Sequence, residues 1–102
     1  MDETLYRASW LFKVLANPLT YQMATLLRTG PARPLELAGM LDRPSATIGR
    51  IARELKLVDV LYYDTTGDGS GGRVVAYSLK DRSIEGVLDA AESYIRAMRV
   101  RP

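Results

Sequence analysis

Two short helical patterns meet at a proline in the middle of this chain. The first begins at Pro34 and ends near Leu41, and the second runs from about Ser45 to Leu57. The intervening Asp42-Arg43-Pro44 ends the first helix, because a proline ring clashes with the turn before it. The second pattern repeats apolar residues at helical spacing, which indicates one buried side: Ile48, Ile51, Ala52 and Leu55. Two short helices with so short a connection predict a helix-turn-helix.

Further elements are predicted on both sides of this pair. A first helix covers about residues 4–16, a second begins at Asn17-Pro18 and closes at Gly30-Pro31, and a last helix covers about residues 83–99. Two strand-like runs, VDVLYYD and RVVAYSL, enclose TTGDGSGG, which predicts a β-hairpin with an eight-residue tip. The expected fold is therefore mainly α with a β-hairpin wing, as one domain over residues 1–102.

The composition excludes several classes of protein. The chain has 102 residues, 47% of them hydrophobic and 25% charged, which is typical of one globular domain. No apolar run approaches the roughly 18 residues of a membrane span, and the first residues do not resemble a signal peptide. We therefore expect a cytoplasmic protein that does not enter a membrane. The net charge of +2 is too small to indicate nucleic acid by itself.

Catalytic and metal-binding chemistry is poorly supported. The chain contains no cysteine and no histidine, so it has no thiolate ligand, disulfide, imidazole ligand or imidazole base. No serine or carboxylate is placed beside a recognisable base, and GDGSGG lacks the helix and lysine of a phosphate loop. We predict that the protein is not an enzyme and has no cofactor.

Three segments carry a resemblance to one protein family. LFKVLANPLTYQMATLL is similar to its opening helices, LELAGMLDRPSATIGRIARELKLVDVL to its helix-turn-helix, and RVVAYSL to its second wing strand. The chain thus resembles the ArsR/SmtB-like family of bacterial and archaeal transcription regulators over most of residues 5–95. The resemblance implies a winged helix-turn-helix that acts as a homodimeric DNA-binding repressor and inserts helix 45–57 into the major groove.

The chain also departs from the family pattern. Thr20-Tyr21-Gln22 stands where an arginine usually follows the junction proline, and Pro44-Ser45 stands where a serine often caps the recognition helix. Many members of the family sense metals through cysteine, histidine and carboxylate clusters. Since cysteine and histidine are absent here, a metal sensor of that kind is not expected.

The candidate DNA contacts lie on the polar edge of helix 45–57. Arginine can donate two hydrogen bonds to guanine or reach phosphate, and a threonine or alanine methyl group can contact thymine. The simpler interpretation is a solvated face of Arg50, Arg53 and Lys56 that Glu54 partly neutralises. By analogy with the family, the residues that face DNA are Ser45, Ala46, Thr47, Arg50 and Arg53.

Three further arginines are candidates for phosphate contacts outside that helix. Arg33 and Arg43 flank the short helix of the pair, and Arg73 opens the second wing strand. Each could equally be an exposed loop residue. Asp64 and Asp68 leave the hairpin net negative, which weakens the case for Arg73.

The terminal helices carry more apolar residues than a small core needs, and this indicates an interface. A symmetric dimer is the expected result, with packing inside a single subunit as the alternative. The candidate interface residues are Tyr6, Trp10, Leu11, Val14, Leu88, Ala91, Tyr94 and Ile95.

Two alternatives to DNA binding remain open. A winged-helix module that binds protein would have a charged surface interrupted by Glu54, Asp64 and Asp68. A sensor of a small molecule would have a pocket between the terminal helices and the second helix. On the last helix, Asp81, Glu85, Asp89 and Glu92 could attract a divalent ion, but an acidic face paired with Arg82, Arg96 and Arg99 is the preferred interpretation.

Overall fold

Five helices and one β-hairpin make up the described structure. The computed structural model describes residues 2–67 and 73–100. The elements follow in the order α1 (Glu3–Leu15), α2 (Pro18–Leu26), a 3-10 turn (Leu27–Thr29), α3 (Pro34–Leu41), α4 (Ser45–Leu57), β1 (Leu61–Gly67), β2 (Arg73–Leu79) and α5 (Ile84–Val100). This is the winged helix-turn-helix arrangement predicted from the sequence.

The helix boundaries have local causes. The Asn17 side chain caps α2 by accepting hydrogen bonds from the N–H groups of Leu19 and Thr20 at 2.9 and 3.3 Å. Gly30 follows the 3-10 turn with a φ of 139°, a conformation that side chains disfavour. Asp42 ends α3 in the left-handed conformation, with a φ of 53°. The chain therefore turns sharply between α3 and α4.

The core lies where α4 meets α2, α3 and the root of the hairpin. All four apolar residues predicted to form the buried side of α4 are at most 1% exposed. They pack in one cluster with Met23, Leu27, Leu37 and Leu61. The period of the sequence pattern correctly identified which side of α4 faces inward.

The hairpin differs from the expected one at both ends. Asp59 has a φ of 62°, so β1 begins only at Leu61 and not at Val58. At the other end the strands pair as far as Gly67 and Arg73, so Thr65 and Thr66 belong to β1. The prediction of an eight-residue tip is therefore wrong. Backbone pairing extends the strands further than β propensity indicated. Residues 68–72, including Asp68, lie outside the described residues.

One attachment of the wing to the helices is made by a residue that precedes α3. Ala32 pairs with Tyr77 of β2 through two backbone hydrogen bonds of 3.0 and 2.8 Å. Ala32 and Tyr77 are both buried. The loop from α2 to α3 thus acts as a third, very short strand beside β2.

Helix α5 is held to the body chiefly at its beginning. Leu88 is 1% exposed and belongs to the core of its own chain, so its assignment to a dimer surface is wrong. Further along, Tyr94, Ile95 and Met98 are 65%, 56% and 48% exposed. The second half of the helix therefore presents an apolar stripe that its own chain leaves largely uncovered.

Polar contacts join α5 to α2 and the 3-10 turn. The Arg28 guanidinium reaches carboxylates of Glu85, Asp89 and Glu92, and the Tyr21 phenol donates to Glu92 Oε2 at 2.6 Å. We call these five residues the Arg28 clamp. The acidic face of α5 is thus paired with a cation from outside the helix, as well as with Arg82 and Arg96 as expected. Within residues 2–67 and 73–100, no group of three or more carboxylates is arranged to hold a metal ion.

None of the helices in the described part of the chain is long and apolar enough to span a bilayer.

Replacing Tyr21 by phenylalanine should change how stability depends on pH. Burial, together with the hydrogen bond to Glu92, raises the pKa of Tyr21 from 10.0 to about 12. The folded protein then retains a proton that the unfolded chain releases, so this contribution is complete below pH 10 and is lost as the pH rises towards 12. We expect the free energy of unfolding in urea to fall more steeply over this window for the wild type than for Tyr21→Phe.

The control is Tyr62→Phe, which removes a phenol that is 41% exposed on β1. Its slope should match that of the wild type. Equal slopes for the wild type and Tyr21→Phe would contradict the assigned role of the Tyr21 phenol.

Candidate nucleic-acid interface

The polar edge of α4 points away from the core. Ser45, Ala46, Arg50 and Arg53 are exposed, whereas Thr47 is half-buried. They face outward because Ile48, Ile51 and Leu55, on the opposite side of the same helix, are buried. The outward edge of α4 therefore exposes Ser45, Ala46, Arg50 and Arg53 to solvent.

The two arginines of this edge differ in their surroundings. Arg50 Nη1 lies 3.3 Å from Glu54 Oε1, and both side chains are exposed, at 55% and 43%. A pair of this kind on a helix stabilises it by only about 0.3–0.5 kcal/mol, so a phosphate could displace Glu54. Arg53 extends back along the helix, where its Nη1 would lie 3.7 Å from a Cβ added at Gly49. Arg53 has no ion pair in the described part of the chain.

Lys56 was grouped with these arginines on sequence grounds, but it contacts the wing. Its ammonium lies 4.4 Å from the centre of the Tyr63 ring on β1. The Tyr63 and Tyr77 rings are in turn 5.2 Å apart with an angle of 42° between their planes. A cation over an aromatic face is attractive by about 0.5–1 kcal/mol at an exposed site. Lys56 thus connects the end of α4 to the hairpin, a role that sequence periodicity does not reveal.

The three candidate arginines outside α4 differ in the contacts that they make within the chain. The Arg43 guanidinium donates to the carbonyl oxygens of Asp42 and Leu41, at 2.9 and 3.5 Å, which places its charge at the C-terminus of α3. Arg33 precedes α3, and its backbone N–H donates to Glu36 Oε1 at 2.9 Å while its side chain is exposed. Arg73 is the first residue of β2, opposite Gly67, and its side chain lies outside the described residues.

Two of the three carboxylates expected to interrupt a charged surface lie within the described residues. Glu54 is engaged by Arg50, and Asp64 is half-buried on β1 opposite Ala76. Of these two, Glu54 lies on α4 itself, beside Arg50, and already has a partner on the same helix.

The candidate dimer residues form two groups. Tyr6, Trp10, Tyr94 and Ile95 are 62%, 39%, 65% and 56% exposed, and Ala91 is exposed too. Leu11 and Val14 are half-buried against the core of their own chain, which leaves them less surface for a partner. On α1 and α5, further exposed apolar side chains that were not among the predicted interface residues are Leu5, Phe12 and Met98.

Two open grooves meet at Tyr21 and Glu92. One, of about 540 Å³, is lined by Tyr21, Gln22, Thr25, Leu26, Met40, Leu41 and Glu92. The other, of about 380 Å³, is lined by Tyr21, Ala91, Glu92, Ile95, Arg96 and Arg99. They flank the hydrogen bond between Tyr21 and Glu92, in the region between α2 and the last helix where a sensor of small molecules would have its pocket.

The similarity of this chain to known proteins is found by comparing structures. No protein-family model and no curated protein matches the sequence. The structure is similar to that of M. tuberculosis Rv0081, with a TM-score of 0.81 and 19% identity over 99% of this chain and 100% of that chain.

Two further solved structures are described as regulators. The homodimeric winged helix-turn-helix DNA-binding domain of Mb0332 from Mycobacterium bovis, a possible ArsR-family transcriptional regulator, has a TM-score of 0.81 and 15% identity over 94% of this chain and 88% of that chain. The transcriptional regulator HlyU from Vibrio vulnificus has a TM-score of 0.71 and 18% identity over 92% of this chain and 93% of that chain. The winged helix-turn-helix fold is thus shared with the Mb0332 domain over most of both chains.

Replacing Gly49 by alanine should stabilise the protein. Glycine in a helix interior costs about 1 kcal/mol relative to alanine, and the added Cβ would meet only Arg53 Nη1 at an ordinary 3.7 Å. We expect the free energy of unfolding of Gly49→Ala to rise by about 0.5–1 kcal/mol in urea denaturation. A loss of stability would mean that this side of α4 is more crowded than its contacts indicate.

Proposed function

We propose that this chain is a homodimeric, DNA-binding transcription regulator of the ArsR/SmtB-like type, formed as one domain over residues 1–102. Helix α4 enters the major groove and reads base edges through Arg50 and Arg53, with Ser45, Ala46 and Thr47 at its leading end. Arg33, Arg43 and Arg73 contact phosphates. The protein acts in the cytoplasm and responds to a signal other than a metal bound by cysteine or histidine, since it has neither residue.

The orientation of α4 is the observation that carries this proposal. Its apolar stripe is fully buried, and the opposite edge carries Arg50 and Arg53 with little to hold them away from a ligand. A helix fits the major groove of DNA, and arginine recognises guanine and phosphate. In a winged helix-turn-helix this second helix of the pair is the one available to the groove.

The dimer is supported by the surfaces of α1 and α5. Tyr94, Ile95 and Met98 follow one stripe of α5 that its own chain leaves exposed, and α1 adds Leu5, Tyr6 and Phe12. Exposed apolar stripes of this size mark interfaces, and two copies related by a twofold axis would cover each other's stripes. Two α4 helices would then lie about one DNA turn apart, roughly 34–36 Å, which favours an imperfect palindrome as the binding site.

The DNA contact is tested by removing both exposed arginines of α4. Fluorescence anisotropy would compare the wild type with Arg50→Ala/Arg53→Ala on the DNA upstream of its own gene and on scrambled DNA, at two salt concentrations. Each lost base contact should cost about 1–3 kcal/mol, and each lost phosphate contact should lower the salt slope by about 0.9. We therefore expect the preference for the upstream DNA to disappear.

The matched control removes the same charge elsewhere. Arg7→Ala/Lys80→Ala takes two exposed cations from single ion pairs on α1 and after β2, so it should keep the sequence preference. Equal, weak binding of both DNAs by the wild type, unchanged in Arg50→Ala/Arg53→Ala, would instead favour a winged-helix module that binds protein.

The dimer is tested with a charge on the apolar stripe of α5. Ile95→Asp would bury an unpaired carboxylate at the interface in both protomers, at a cost of about 3 kcal/mol or more, which weakens self-association more than about a hundredfold. Sedimentation equilibrium would compare it with Ser93→Asp, which adds the same charge on another side of α5. A dimer that tolerates Ile95→Asp would place the interface elsewhere.

A further inference from the structure

The direction of α5 is not fixed by apolar packing along its whole length. Ile84 and Leu88 pack against the core, but Ala91, Tyr94 and Ile95, which continue the same stripe, are exposed. After Leu88 the hydrogen bonds and ion pairs that join α5 to the other described elements are made by Asp89 and Glu92. Both residues belong to the Arg28 clamp.

Three carboxylates of the clamp converge on one guanidinium. Glu85, Asp89 and Glu92 occupy positions i, i+4 and i+7, which lie on one face of a helix. Arg28 Nε lies 3.6 Å from Glu85 Oε1 and Nη1 lies 3.5 Å from Glu92 Oε2, while Nη2 contacts Asp89. The Arg28 side chain is only 20% exposed. A planar guanidinium presents five donors in a rigid fork that can bridge two turns of helix, whereas an ammonium is a compact charge without that fork.

Tyr21 provides a second attachment point, from a different element. Its hydroxyl donates to Glu92 Oε2, the same oxygen that Arg28 approaches. Because Tyr21 lies on α2 and Arg28 on the 3-10 turn that directly follows it, α5 is held at two points along this segment. Rotation of α5 about its packed beginning would break one of these contacts or both.

A small change in the angle between α5 and the rest of the domain becomes a larger displacement at the end of the helix. From Leu88 to Val100 the helix rises roughly 18 Å, so a rotation of about 10° at Leu88 moves its end by about 3 Å. In a dimer built on α5, the same rotation changes the distance between the two α4 helices.

We propose that Arg28 and Tyr21 are positioning residues that fix the angle between α5 and the helix-turn-helix, and thereby set the separation of the recognition helices and the spacing of DNA half-sites that the dimer prefers. The second part of this inference rests on the proposed function. The first part concerns one chain alone.

The angle can be measured within a single chain. Since the sequence has no cysteine, spin labels on Leu35→Cys and Ala97→Cys occupy unique exposed positions on α3 and near the end of α5. Electron–electron double resonance on labelled chains diluted in unlabelled protein records only the distance between these two positions. Arg28→Lys and Tyr21→Phe are introduced singly and together, and Arg96→Lys, which alters an ion pair within α5, is the control.

We expect a narrow distance distribution in the wild type and in Arg96→Lys. In Arg28→Lys/Tyr21→Phe the distribution should shift or broaden by about 2 Å, because Ala97 lies roughly 13.5 Å along the helix from Leu88 and a rotation of about 10° moves it by that amount. Thermal unfolding of each variant verifies that the domain remains folded. An unchanged distribution in the folded double variant would overturn the proposal.

The predicted effect on the preferred spacing of DNA half-sites is measured separately. Duplexes carrying the same half-sites at different spacings should be discriminated by the wild type and by Arg96→Lys, and this discrimination should fall by about fivefold or more in the double variant. Retained discrimination would overturn the link to spacing. If the wild type binds no specific DNA, the proposed function fails, while the distance measurement still decides the role of the clamp.

Discussion

Burial of one stripe of α4 is the constraint on which the rest of the arrangement depends. Ile48, Ile51 and Leu55 are removed from water almost completely, and burial of each side chain contributes about 1.5–3 kcal/mol. Within the described part of the chain, the outward arginines form one ion pair, between Arg50 and Glu54, which is exposed and contributes much less. The arginines therefore point outward because the opposite side of their helix must be inside. The core orients the charged edge, and the edge itself adds little to stability.

The wing and the last helix are attached to this core in different ways. Backbone hydrogen bonds from Ala32 and the contact of Lys56 with Tyr63 join the hairpin to the helices, so the wing is placed relative to both ends of the helix-turn-helix. Helix α5 instead packs through Ile84 and Leu88 and is then steadied by ionic contacts. The attraction between apolar side chains has no preferred direction. A guanidinium that bridges several carboxylates, in contrast, holds them in a defined geometry. This difference is the physical basis of the angle-setting role that we propose for Arg28 and Tyr21.

Sequence patterns were sufficient wherever a short local rule decides the structure. The stripe of α4, the cap at Asn17 and the break between α3 and α4 depend on spacing of about four residues or on the properties of asparagine and proline. The patterns were insufficient where partners lie far apart in the chain. The hairpin tip was predicted too long because Thr65 and Thr66 are held by pairing with Val75 and Val74. Leu88 was placed on the surface because an apolar residue on a helix gives no sign of which neighbour covers it.

By itself, the sequence determined a helix-turn-helix with a β wing, the buried side of α4 and the candidate residues on its polar edge, because helical and strand periodicity are local properties. Only the tertiary structure decided which charges remain free. Lys56 contacts Tyr63, Arg43 contacts the end of α3, and Arg28 gathers three carboxylates from a helix about sixty residues away. Those partners are chosen by how the elements pack in space. An ion pair between distant segments leaves no periodic signal in the sequence.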